Sequence, residues 1–172
     1  LNLHASLGRR WIERLSVQVA KWFSNGTLDN LDGAKLGLAM RYLKIKRLRP
    51  AQLQPILAAI SGKSILFISP TGSGKSLCFQ IPALVQDKHS LVVSPLKALM
   101  SDQVKGLLDR DVPATFINSD VSIDERKTRL ELIEKQAVKL VYLAPERLVK
   151  SQRRKQELEV IIGQCPSYLV VD

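Results

Sequence analysis

Eight residues, Ser69, Pro70, Thr71, Gly72, Ser73, Gly74, Lys75 and Ser76, join an apolar run at 64–69 to a helical pattern that opens near residue 75. Few short segments constrain a fold so tightly. The run is a relaxed form of G-x-x-x-x-G-K-[ST], a loop whose context is a strand on one side and a helix N-terminus on the other. Gly72 and Gly74 can take the positive φ that turns successive N–H groups inward, making a concave nest for phosphate oxygens where a helix begins. Lys75 can place its ammonium between the β- and γ-phosphates of a nucleotide. The Ser76 hydroxyl is positioned to ligate a Mg2+ ion that bridges the same oxygens. Ser69 stands where the pattern usually has its first glycine, and a small residue still fits. The alternative is a glycine-rich strand-to-helix turn that binds nothing.

A strand before the loop and a helix after it predict a particular continuation. From Arg49 onward, apolar runs alternate with helical stretches, the pattern of βαβ units and a parallel sheet. Five strands are expected, at 64–69, 90–94, 114–118, 139–144 and 168–172, each a mostly continuous run of Ile, Leu, Val and Phe with polar residues at its ends. Such runs suit strands covered by helices on both faces. Helices are expected at 50–60, 75–86, 96–109, 123–136 and 146–162, the fourth opened by Ser122 and Glu125 at capping-box spacing. Right-handed crossovers then build an α/β fold, a parallel sheet of about five strands with helices on both faces. Residues 1–47 read instead as a helical N-terminal segment, with Trp11, Leu15, Val19 and Trp22 at helical spacing and a break at Ser24, Asn25 and Gly26. They carry no recognisable chemistry.

The chain has 172 residues, enough for one ordinary domain with a self-sufficient core. Its two cysteines, Cys78 and Cys165, lie far apart and outside any C-x-x-C spacing, so neither a disulfide framework nor a zinc site is expected, and a reducing compartment fits. No stretch approaches the roughly 20 consecutive apolar residues of a membrane span, and no signal segment opens the chain, so no membrane partner is expected. The first residue is Leu1 and the last, Asp172, ends an apolar run, so the chain is expected to be a fragment. The formal net charge of +10 is uneven, with 10 basic and 3 acidic side chains among the first 50 residues, densest at Arg41, Lys44, Lys46, Arg47 and Arg49. This points to a polyanion partner, with a solvated helix face as the alternative.

Asp172 closes the run Tyr168-Leu169-Val170-Val171, which would deliver its carboxylate to the carboxyl edge of the sheet, the edge that also carries the phosphate loop. That resembles a Walker B acid, whose task is to hold Mg2+ opposite Ser76. The alternative is an Asp that ends a strand for reasons of turn chemistry.

Further blocks extend the pattern in both directions: Leu48-Arg49-Pro50-Ala51-Gln52 before the loop, then Ser94-Pro95-Leu96-Lys97-Ala98-Leu99-Met100-Ser101-Asp102-Gln103, Asn118-Ser119, and Leu143-Ala144-Pro145-Glu146-Arg147-Leu148. With the loop they resemble, in family order, the superfamily 2 DNA helicases of the RecQ type. The resemblance covers residues 48–172 and implies a partial helicase ATP-binding domain, a RecA-like P-loop NTPase lobe truncated at Asp172, which would open the D-E-A-H box.

It implies ATP and Mg2+ as cofactors. ATP would be held by Arg49, Gln52, Pro70, Thr71, Gly72, Ser73, Gly74, Lys75 and Ser76, the metal by Ser76 and Asp172, and catalysis would rest on Lys75 and Asp172. Gln52 would hydrogen-bond the adenine edge, as a side-chain amide can pair with N6 and N7 together, with Arg49 supporting it; a polar residue on a surface helix is the alternative. By the same resemblance Ser94, Pro95, Leu96, Lys97, Gln103, Asn118, Ala144, Pro145 and Arg147 would grip DNA, single-stranded or at duplex junctions. Two of these loops end a strand and open a helix, which turns free N–H groups toward a phosphate. Pro95 and Pro145 also read as helix N1 residues. One departure stands out: the family's aromatic-Gly-aromatic stretch before the L-R-P-x-Q block is Leu43, Lys44 and Ile45 here. An aliphatic side chain covers an adenine ring without stacking on it as well as an aromatic one does.

The expected activity is ATP-driven unwinding with 3′ to 5′ polarity, completed by a second RecA-like lobe that this sequence lacks and that would bring the arginine finger. A P-loop enzyme of another class would need an acceptor pocket or a guanine-reading N-K-x-D, and the chain has no N-K-x-D. A degenerate helicase relic or non-catalytic nucleic-acid-binding module is the other alternative. The expected location is the nucleus in a eukaryote and the cytoplasm in a bacterium.

Overall fold

A computed structural model describes residues 30–149 and 152–172, and the chain divides into two units, residues 1–85 and 86–172. The tryptophan-bearing helical repeat and the break at 24–26 lie outside the described residues.

In the first unit, helices α1 (Asn30–Tyr42) and α2 (Pro50–Ile60) both pack on α3 (Leu77–Val85). In α2, Leu53, Ile56 and Ile60 recur at helical spacing and are buried, facing the nearly all-apolar α3, which buries Ile81, Ala83 and Leu84. Pro50 opens α2 with its φ already set for a helix, and the Gln52 side-chain oxygen accepts from the Arg49 amide at 2.7 Å.

Helix α1 ends in a Schellman motif: the Lys44 amide donates to the Arg41 carbonyl at 3.0 Å and the Ile45 amide to the Met40 carbonyl at 2.7 Å. This geometry needs a left-handed residue, and Lys44 supplies it at φ +57°. The resemblance noted above implies a glycine at this position, so the departure at 43–45 has a backbone cost as well as a ring to replace. Lys44→Gly is expected to raise stability by about 1 kcal/mol, the lower end of what a side chain costs in left-handed backbone. Urea denaturation of the two chains measures it, and a glycine variant no more stable than the parent would show that contacts of the lysine offset the strain.

The strand expected at 64–69 is not formed. The segment joins no ladder among the described residues, and Leu66 and Ile68 are 87% and 84% exposed. An apolar run marks a segment able to enter a sheet, but a strand exists only where a neighbour takes its N–H and C=O groups. Among the described residues the sheet therefore has four strands rather than five.

All four belong to the second unit: β1 (Ser90–Val93), α4 (Lys97–Leu108), β2 (Ala114–Ile117), α5 (Ile123–Glu134), β3 (Leu140–Leu143), a 3-10 turn (Pro145–Arg147), α6 (Gln152–Gly163) and β4 (Tyr168–Val171). They pair in parallel in the order β2-β3-β1-β4, with Val93 level with Leu143 and Val171, and Ile117 level with Leu143. The central strands β1 and β3 are buried at every position, whereas β4, on an edge, alternates half-buried and exposed residues. One face of the sheet carries Leu91, Ile117, Val141 and Leu143 against Ile133 of α5 and Ile161 of α6. The opposite face carries Val92 and Tyr142, both almost wholly buried. Two apolar layers of this kind are what parallel strands require.

As the spacing predicts, Ser122 caps α5, its hydroxyl accepting from the Glu125 amide at 3.2 Å. The helix expected over 146–162 instead divides into the 3-10 turn and α6. At its start the Arg147 amide bonds the Ala144 carbonyl and the Leu148 amide the Pro145 carbonyl, an i to i+3 pattern tighter than an α-helix.

Candidate functional site

The loop 69–76 lies in the first unit, and its two glycines adopt the conformation the motif demands: Gly72 at φ +75° and Gly74 at φ +84°. The Ser73 amide turns back to the Pro70 carbonyl at 3.2 Å. Lys75 lies across the loop, its ammonium donating to the carbonyls of Ser69 at 2.8 Å and Pro70 at 3.0 Å. Ser76 precedes α3 by one residue, and its carbonyl accepts the first α-type bond, from Gln80 at 2.9 Å.

The start of α2 braces this loop from outside. Arg49 donates through Nη1 to the Gly72 carbonyl at 2.9 Å, and Gln52 donates through Nε2 to the Gly74 carbonyl at 2.9 Å and the Ser73 carbonyl at 3.4 Å. Gln52 is 3% exposed, so the bland reading of a polar residue on a helix surface fails for it. Two residues expected to act together are thus brought to one loop, through its backbone. Pro70 and Thr71 are exposed at the loop's outer bend. Cys78, in the first turn of α3, is pushed up to about 11 by burial and stays a neutral thiol.

In the second unit, three loops and Asp172 share the carboxyl edge of the sheet, where parallel α/β sheets bind their ligands. The strand ladder continues one residue into each. The Ser94 amide donates to the Leu143 carbonyl at 3.1 Å, Ala144 to Ile117 at 3.2 Å, and Asp172 to Val93 at 2.9 Å. Pro95 and Leu96 are exposed, Leu96 at 61%, while Ser94, Asn118 and Ala144 are buried. Pro145 is exposed at the head of the 3-10 turn, and Gln103 is half-buried on α4.

Two connections link the loops. Lys97 donates to the Asp120 carboxylate at 2.7 Å, and this hydrogen bond, more than the accompanying charge, holds the Asp120 carboxyl below its ordinary range. Asp120 is fixed in turn by an Asx turn, its amide donating to the Asn118 side-chain oxygen at 2.9 Å. On the other side, Arg147 is 8% exposed and donates through Nη2 to the Asn118 carbonyl at 2.8 Å. Asp120 was not singled out by sequence, although its place after Asn118-Ser119 on a turn is a usable signal. Sequence reasoning also missed Glu157 on α6, which meets Arg147 Nη1 at 3.6 Å and Arg126 Nη1 at 3.2 Å. No local pattern announces it.

Comparison with known proteins agrees with this frame. The DEAD/DEAH box helicase family matches residues 49–172, and the chain belongs to it. Its relatives put it with the RecQ-like members. It is 40% identical to ATP-dependent DNA helicase Q1 of Rattus norvegicus over 118 residues, 67% of this chain and 19% of the relative. Against ATP-dependent DNA helicase RecQ of Synechocystis it is 45% identical over 101 residues, 59% of this chain and 21% of the relative. ATP-dependent helicase SGS1 of Saccharomyces cerevisiae is 35% identical over 119 residues, 67% of this chain and 8% of the relative. The chain thus spans a fifth or less of the length of most such relatives. Among the described residues, no helix is long and apolar enough to cross a membrane.

Proposed function

We propose that this chain is the ATP-binding lobe of an ATP-dependent DNA helicase of RecQ type, which with a second RecA-like lobe couples ATP hydrolysis to 3′ to 5′ unwinding. The observation that carries the reading is the left-handed pair Gly72 and Gly74 directly before Lys75, braced from outside by Arg49 and Gln52. A turn that merely connects two elements has no need of that brace.

In this reading Lys75 exchanges the carbonyls of Ser69 and Pro70 for the β- and γ-phosphate oxygens of ATP. The exchange favours the nucleotide, because a charged acceptor makes a stronger hydrogen bond than a neutral carbonyl. Gln52 and Arg49 carry the adenine preference through the same side chains that hold the loop. The Ser76 hydroxyl and the Asp172 carboxylate are each hard oxygen donors of the kind that suits Mg2+, an ion that would supply charge neutralisation on the phosphates. Pro95, Leu96, Lys97 and Pro145, with Gln103 on α4, take the DNA backbone. Buried Ser94, Asn118, Ala144 and Arg147 support those loops. Residues 1–47 precede the domain at 48–172, and the described helix of that segment, α1, packs on α3 of the first unit. The site of action would be the nucleus in a eukaryote and the cytoplasm in a bacterium.

The test is Mg2+-dependent binding of a fluorescent ATP analogue to the chain and to Lys75→Ala, with ATP and GTP as competitors. Loss of the lysine should weaken binding about 10- to 100-fold, the worth of a charge-assisted contact of roughly 1.5 to 3 kcal/mol, and ATP should compete better than GTP. A folded parent chain that binds neither nucleotide would leave the helicase relic as the better account.

A further inference from the structure

The turn 118–121 is held at both ends by arginines that share one carboxylate. Arg147 donates to the Asn118 carbonyl at 2.8 Å, and Arg126 donates through Nη2 to the Val121 carbonyl at 2.9 Å. Both guanidiniums meet Glu157, one on each carboxylate oxygen, Arg126 at 3.2 Å and Arg147 at 3.6 Å. The three residues come from α5, the 3-10 turn and α6, and all three side chains are largely buried. Between the clamped ends sits Asp120, which holds the Lys97 ammonium at 2.7 Å.

We propose that Glu157 is a positioning residue for nucleic-acid binding: through Arg126 and Arg147 it fixes the 118–121 turn, and through Asp120 it places Lys97 for a phosphate of single-stranded DNA. The placement of Lys97 as a ligand group rests on the function proposed above; the clamp on the turn does not. Desolvated ion clusters of this kind often add little net stability, since an apolar set of similar volume can replace them. What two guanidiniums on one carboxylate do supply is direction, because each planar fork points its remaining N–H groups along a fixed line. Here those lines end on the two carbonyls that bound the turn. The Lys97 side chain is 40% exposed, and an unsupported lysine there would sample many rotamers. An ammonium held in place loses less freedom when a phosphate arrives.

The experiment compares the parent chain with Glu157→Gln and Glu157→Ala by hydrogen exchange, by binding of a fluorescent oligothymidine, and by binding of a fluorescent ATP analogue. In Glu157→Ala, exchange at residues 119–121 should rise about tenfold while the amides of β1 and β3 keep their protection, as local opening requires. Oligothymidine affinity should fall about tenfold, in line with the loss of a residue that orients a binding group, and ATP-analogue affinity should stay within about twofold. Glu157→Gln, which keeps the volume and one acceptor, should fall between parent and alanine variant. Unchanged exchange in the turn overturns the proposal, as does equal loss of protection in turn and strands, which would make Glu157 a purely structural residue. A parent chain that binds no oligothymidine, with the turn nevertheless loosened in Glu157→Ala, would retain the clamp and remove the DNA reading.

Discussion

Gly74→Ala should bind a fluorescent ATP analogue at least about tenfold more weakly than the parent chain, from two costs acting on one residue. At φ +84° any side chain sits in left-handed backbone, which costs roughly 1 to 2 kcal/mol. The added Cβ would also lie 2.5 Å from Gln52 Nε2, inside van der Waals contact. That nitrogen donates to the Gly74 carbonyl itself, so Gln52 must swing away and the brace on the loop is lost. Gly72→Ala provides the comparison. Its φ of +75° carries a similar backbone penalty, but the new Cβ meets nothing within 4 Å, so a smaller loss of affinity is expected. Isothermal titration of both variants, each checked by circular dichroism for retained helix, measures the difference. If alanine at 74 binds as tightly as alanine at 72, Gln52 has no part in shaping the loop.

Arg147→Ala is expected to destabilise the second unit by about 3 kcal/mol, the range seen when one partner of a buried ion pair is removed. The Asn118 carbonyl loses its donor, Glu157 loses one of its two cations, and the aliphatic stem leaves a gap where Arg147 is 8% exposed. Arg147→Met should recover part of the loss, because it restores the packing of the stem without the charge. Urea denaturation of the three chains gives the numbers. An unchanged midpoint for Arg147→Ala, with weakened DNA binding, would return the guanidinium to the ligand side of the edge, the role its place in the Ala144–Leu148 block suggests by family resemblance.

The contrast between those two residues shows what the sequence could reveal. The glycines of the loop are legible because only glycine takes positive φ without strain, and the motif fixes their spacing. The strands at 90–93, 114–117, 140–143 and 168–171 are legible because β-branched and aromatic runs bounded by polar residues leave few alternatives. Arg147 was different. Whether an arginine faces solvent or is buried depends on a partner, and its partners are Asn118, 29 residues back, and a glutamate on the next helix. Lys97 and Asp120 meet across 23 residues for the same reason, because the strands they follow, β1 and β2, both pair with β3. The segment 64–69 failed in the opposite sense, having the composition of a strand without the neighbour that makes one. Lys44 shows a third kind of limit, since the need for left-handed backbone at a helix end is set by geometry and only the preference for glycine there is written in sequence.

The strand order has a consequence for any linear ligand lying across the sheet's carboxyl edge. Neighbouring strands stand roughly 4.8 Å apart, so the loops form a row of fixed teeth at that pitch. The row runs β2-β3-β1-β4, which puts Asn118 first, then Ala144–Arg147, then Ser94–Lys97, and Asp172 last. A strand threaded along it would touch the polypeptide out of order, stepping forward, then back by about fifty residues, then forward to the end. Photocrosslinks from successive nucleotides would map to peptides in that shuffled sequence, a signature that a contact made by any one contiguous stretch of chain could not produce.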